Sequence, residues 1–142
     1  SNRSDAVARE PASARGHDQH LRILAVDDDR LILTTMVMLL EIMGHQPIEA
    51  NSAREALEIL RNTEVDLVIT DYSMPGMNGA QLIEAMGIQW PALPAIVASG
   101  YTHTGVDDLP AERLTKPYGR QELAQAIRAV MHRNPAARQS AR

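Results

Sequence analysis

Four short stretches of this sequence end in side chains that can do chemistry together. Three aspartates, Asp27, Asp28 and Asp29, follow the apolar run LRILAV. Asp71 follows DLVIT, Ser99 follows PAIVA, and Lys116 follows RLT and precedes Pro117. Each reactive group therefore stands directly after a short segment that reads as a strand. Several carboxylates packed together repel one another unless a cation sits among them. Hard oxygen ligands, few of them from protein, suit Mg²⁺, which keeps several waters and binds phosphate oxygens. A carboxylate can also act as a nucleophile and become an aspartyl phosphate. A phosphoryl group in transfer needs its oxygens neutralised by a metal, a lysine and a hydroxyl. Singly, each residue has a plain reading. The aspartates could favour a helix N-terminus, Asp71 could be a turn residue, Ser99 a loop serine and Lys116 a surface lysine. Together and in this order they point to one phosphate-handling site.

The elements that must position these groups alternate between two periods. Residues 21–26 are a short apolar run of the kind that forms a strand buried on both faces. Residues 30–43 carry apolar residues at Leu31, Met38 and Ile42, which predicts a helix of about four turns, ended by Gly44. Residues 47–50 form a weaker strand. Ser52 with Glu55 reads as a capping box for a helix over 53–61. Residues 66–70 are the third strand. Pro75, Gly76 and Gly79 are turn signals, and a helix follows over about 79–86. Residues 94–98 and 113–115 are the last two strands. Residues 121–132 are a helix, apolar at Leu123, Ala126, Ile127, Val130 and Met131. Strands alternating with helices imply parallel pairing in an open doubly wound α/β sheet, with ligands at the carboxyl ends of the strands. The flanks, 1–20 and 134–142, lack periodicity and read as a linker and a disordered tail around one domain at 21–133.

Composition narrows the function classes. The chain has 142 residues, 44% apolar, with a net charge of −4. That balance does not suggest nucleic acid or an anionic membrane as the main partner. The absence of cysteine removes disulfide and thiol chemistry and fits a cytoplasmic setting. No apolar run reaches the ~18 residues of a membrane span, and residues 1–20 lack the apolar core of a signal peptide. His17, His20, His45, His103 and His132 are scattered without metal-ligand spacing. No G-x-x-x-x-G-K-[ST] loop is present, and zero Phe with one Trp, Trp90, gives no aromatic platform for nucleic acid.

The runs ILAVDDD, VITDYSMPGMNG, AIVASG and LTKPY resemble the receiver domain of two-component response regulators, over nearly all of residues 21–133. The resemblance implies a flavodoxin-like five-stranded sheet in the order 2-1-3-4-5. It implies that Asp71 accepts a phosphoryl group from the phosphohistidine of a kinase or phosphotransfer protein. Asp28 and Asp71 would touch Mg²⁺ directly, with Asp27 acting more through water and the Ser73 carbonyl as a further ligand. Ser99 would turn toward the phosphoryl group, Lys116 would pair with it, and Pro117 would follow a cis peptide bond. Asp29 falls outside the acidic pair and suits a helix cap.

Two departures stand out. The family's aromatic switch position before Lys-Pro holds Arg113, followed by Leu114. The segment 101–110 contains two threonines, Gly105 and Pro110, too little for a full helix between the fourth and fifth strands. A shortened or missing helix there favours a monomer whose 100–110 loop, with Tyr101, orders over the site on phosphorylation. The spelling SGYT…DLP…RLTKPY is similar to receivers at the C-terminal end of hybrid histidine kinases. The chain would then be no enzyme in the turnover sense. A haloacid-dehalogenase-type phosphatase is the competing expectation, since Asp27 and Asp29 could form its Asp-x-Asp pair. It leaves Asp71 unexplained and 142 residues leave no room for a cap domain. A stand-alone adaptor receiver is a third.

Overall fold

The computed structural model describes residues 20–100 and 106–133, apart from the side chain of Asp107; the expected flanks and Tyr101 lie outside the described residues. Five strands run β1 (Arg22–Val26), β2 (Gln46–Ala50), β3 (Leu67–Asp71), β4 (Ala95–Ser99) and β5 (Glu112–Thr115). Four α-helices connect or follow them: α1 (Arg30–Ile42), α2 (Ala53–Asn62), α3 (Gly79–Gln89) and α4 (Arg120–His132). All four strand pairings are parallel and the sheet order is β2-β1-β3-β4-β5, as expected for a flavodoxin-like doubly wound fold. Among the described residues, the connection from β4 to β5 holds a single 3-10 turn, Val106–Asp108, and no α-helix. The expected shortening of that helix is borne out, among the described residues, as a single turn.

Alternation along the strands builds two separate cores, because successive side chains point to opposite faces. Ile23, Ala25, Leu67 and Ile69 face one side, where α1 and α4 supply Leu33, Met36, Leu40, Leu123 and Ile127. Leu24, Val26 and Val68 face the other, where α2 and α3 supply Leu57, Leu60, Leu82 and Met86. The central strands β3 and β4 are buried at every position, which explains why their sequences read as continuous apolar runs.

Helix α1 corrects one expectation. Leu31, Met38 and Ile42 are exposed, at 76%, 55% and 60%, while Leu33, Met36, Val37 and Leu40 form its buried stripe. The helix is apolar on more than one face, so periodicity alone does not select the face that packs. Its start and end follow the expected chemistry. Asp29 caps the N-terminus, accepting from the N–H groups of Leu31 and Ile32, and Gly44 takes φ +92 after the C-terminus. At α2 the Ser52 side chain accepts from Glu55 N–H, but the Glu55 carboxylate reaches Asn51 N–H rather than closing a box on Ser52.

These contacts make the two methionines of α1 a direct check. Met36→Ala should cost about 2–5 kcal/mol by emptying core volume. Met38→Ala should stay within about 0.5 kcal/mol because its side chain is largely solvated. Urea denaturation of both variants measures the difference.

Candidate functional site

The site forms where strand order reverses. Chain connections leave β1 and β3 toward opposite sides of the sheet, which opens a crevice at their carboxyl ends. The register pairs Val26 with Thr70, so Asp27, next after β1, comes beside Asp71, the last residue of β3. Carboxylate oxygens of Asp27, Asp28 and Asp71 all lie within 4.8 Å of one another. Asp27 and Asp71 are 2% and 4% exposed, whereas Asp28 is open to solvent. On the other side of β3, Ala98 pairs with Asp71 and Ser99 pairs with Thr115, so Ser99 sits between the strands that carry Asp71 and Lys116.

Asp71 is held from two directions. The Lys116 ammonium donates to its Oδ1, and the Ser73 N–H donates to its Oδ2 at 3.1 Å. Lys116 itself is anchored by its N–H to the Ser99 carbonyl at 2.8 Å, and its bond to Pro117 is cis, as expected. Asp27 is held differently. Its Oδ1 accepts from Asp29 N–H at 2.9 Å, but its Oδ2 is buried with no hydrogen-bond partner among the described residues. Burial pushes the Asp27 carboxyl up to about 6, a shift opposed by the Asp29 N–H and reinforced by the charge of Asp71. Ser99 is fully buried, and its hydroxyl oxygen also lacks a partner.

These features fit a divalent cation. A buried carboxylate oxygen without a donor, set among three close carboxylates, is poorly stabilised by the protein alone. Asp27, Asp28 and Asp71 would hold Mg²⁺ there, with the Ser73 peptide against Asp71 placing its backbone at the same edge. Asp29 stands apart, its carboxylate engaged with the first turn of α1. The Asp27 and Asp29 pair of a phosphatase is therefore not formed, because the second carboxylate is occupied as a cap. His45 is likewise structural: it is half-buried and its Nδ1 accepts from Leu21 N–H at 3.3 Å.

Two positioning residues were not assigned their roles from sequence. Gly79, expected as a turn glycine, is the first residue of α3. A Cβ there would lie 2.4 Å from the Asp71 carbonyl oxygen and 2.9 Å from Tyr72 Cα. Only a residue without a side chain lets α3 start so close to the reactive strand end. Tyr118, directly after Pro117, packs against the α1–α4 core. Burial, then the charges of Asp27 and Asp71, push its phenol up to about 12. Its adjacency to Lys116-Pro117 was the available signal.

Two outcomes follow from this geometry. Gly79→Ala should destabilise by about 1–3 kcal/mol, since the obstruction is backbone rather than a flexible side chain; thermal unfolding reads the loss. For Asp27, the folded carboxyl binds its proton more tightly than the ordinary value of 3.8 allows. Its contribution to stability therefore falls as pH rises from about 4 through about 6, by roughly 2–3 kcal/mol without metal. Asp27→Asn, which keeps an acceptor for Asp29 N–H, should raise the melting temperature of metal-free protein at pH 7.5 and flatten its pH dependence. Mg²⁺ should stabilise wild type more at pH 7.5 than at pH 5, and the variant little at either.

Comparison with known proteins agrees with this geometry. The family model for the response regulator receiver domain matches residues 23–128. The two-component response regulator ARR10 of Arabidopsis thaliana is 35% identical over 121 residues, 80% of this chain and 22% of that protein. The transcriptional regulatory protein KdpE of Mycobacterium tuberculosis is 32% identical over 124 residues, 81% of this chain and 53% of that protein. The chain thus spans between about a fifth and a half of these relatives. Among solved structures, a response regulator receiver domain protein from Clostridium thermocellum has a TM-score of 0.71 at 32% identity, covering 79% of this chain and 94% of that one. The chemotaxis protein CheY4 of Vibrio cholerae, at 24% identity and a TM-score of 0.73 over 78% of this chain and 98% of that one, shares the fold. With its acidic cluster, Ser99 and Lys116 at the strand ends, the chain belongs to the response regulator receiver domain family.

Proposed function

We propose that this domain accepts a phosphoryl group on Asp71 from a phosphohistidine and signals by the change that follows. One observation carries the reading: Asp71 ends the central strand, buried, with Lys116 on one oxygen and two more aspartates beside it. In the transfer, an Asp71 carboxylate oxygen attacks phosphorus and the bond from phosphorus to the histidine nitrogen breaks. The leaving imidazole nitrogen takes a proton from solvent, and an acyl phosphate remains on Asp71. Asp27, Asp28, Asp71 and the Ser73 carbonyl would hold Mg²⁺, which would supply charge neutralisation for the phosphoryl oxygens. Lys116 pairs with a phosphoryl oxygen once Asp71 is esterified, and Ser99 offers its hydroxyl to another.

The chain in this reading modifies itself and turns over no free substrate, so it is a signalling module rather than an enzyme. Its partner is a histidine kinase or a histidine phosphotransfer protein, in the cytoplasm where ATP charges the donor. We place the domain at the C-terminal end of a hybrid histidine kinase, on the likeness of its SGYT…RLTKPY stretch to such receivers. The absence of an α-helix between β4 and β5 among the described residues supports a monomer.

The test uses a phosphohistidine donor or a small acyl phosphate with Mg²⁺. Asp71→Asn should take up no label while keeping its circular dichroism spectrum. Lys116→Ala should fold but lose most of its response to beryllofluoride. Full labelling of the Asn variant would overturn the assignment.

A further inference from the structure

Arg113 stands at the position where the resemblance to receiver domains leads one to expect an aromatic residue. It lies on the edge strand β5 opposite Val97. Its guanidinium crosses to the end of β4 and donates to the Gly100 carbonyl at 2.9 Å. One residue earlier, the Ser99 carbonyl accepts from Lys116 N–H at 2.8 Å. The backbone on both sides of the Ser99–Gly100 peptide is thus tied to β5, once through the main chain and once through Arg113. Ser99 needs this support, because its fully buried hydroxyl has no hydrogen-bond partner to orient it. Gly100 adds no side chain of its own and is the residue type most free to change backbone conformation.

We propose that Arg113 is a positioning residue for Ser99, fixing the end of β4 so that the hydroxyl points to the phosphoryl site. This rests on the phosphoacceptor reading of Asp71. The guanidinium suits the task because it is always charged and presents its donors in a rigid planar fork. Lysine at the same place would offer a single charged point on a shorter, more flexible stem. A phenylalanine ring would have no donor for the Gly100 carbonyl.

The experiment is a double-mutant cycle on the full chain, using a small acyl phosphate and Mg²⁺ as probes. Arg113→Gln, Arg113→Met and Arg113→Lys are each made with Ser99 intact and with Ser99→Ala. With Ser99 intact, the Gln and Met variants should label on the order of tenfold more slowly, the scale of a small misplacement of a reacting group. Arg113→Lys should recover part of that loss. In the Ser99→Ala background the same substitutions should cause no further slowing, because the group they position is gone. Mg²⁺ affinity, read by NMR titration, should be unchanged in every Arg113 variant that folds. Equal slowing in both backgrounds, or no slowing with Ser99 intact, would overturn the proposal. A wild-type chain that takes no label would instead overturn the phosphoacceptor reading itself. If Arg113→Gln does not fold, the Met and Lys variants complete the cycle, and a chain that folds with none of the three would show Arg113 to be structural and also overturn it.

Discussion

Repulsion among Asp27, Asp28 and Asp71 is the constraint around which this domain is built. Three carboxylates with oxygens inside 4.8 Å of one another, two of them buried, repel one another strongly when all are ionised. The protein relieves only part of the cost. Lys116 pairs with Asp71, and Asp29 N–H serves one oxygen of Asp27, but the other Asp27 oxygen is left without a donor. Burial, reinforced by the charge of Asp71, holds the Asp27 carboxyl up near 6, and the cluster suits a cation that would complete it. Stability is given up locally, as is common where charges are gathered for a function.

The frame has to withstand that repulsion, and its features follow from the need. Two cores, one on each sheet face, clamp β1 and β3 so that Asp27 and Asp71 stay adjacent. The start of α3 is pressed against the Asp71 carbonyl, which Gly79 alone permits. Asp29 turns its carboxylate into the first turn of α1 and so leaves the cluster with three members rather than four. On the far side, β5 holds the end of β4 through Lys116 N–H and the Arg113 guanidinium. Each device fixes backbone near a reactive group rather than adding another charge to it.

Most of the fold was legible because buried parallel strands are short apolar runs, and β1, β3 and β4 each end at or directly before a polar residue with chemical potential. That placed Asp27, Asp71, Ser99 and Lys116 at one edge before any contact was known. The packed face of α1 was not legible. Leu31, Met38 and Ile42 satisfy helical spacing as well as Leu33, Met36 and Leu40 do, and the choice is made by the sheet. The role of Gly79 was hidden for another reason: a turn glycine and a close-approach glycine look the same until the neighbouring backbone is in place. Arg113 was visible as a departure from the family pattern, but its partner, a main-chain carbonyl, carries no mark in the sequence.

The central claim is that Asp71, and no other carboxylate of the cluster, carries the phosphoryl group. Reduction of the acyl phosphate with borohydride after labelling converts the modified aspartate to homoserine, which peptide mapping by mass spectrometry locates. The structure leads to homoserine in place of Asp71, dependent on Mg²⁺ and absent when donor is withheld. Homoserine in place of Asp27, Asp28 or Asp29 would contradict the account, because the nucleophile would then belong to the end of β1 and Asp71 would be only its neighbour.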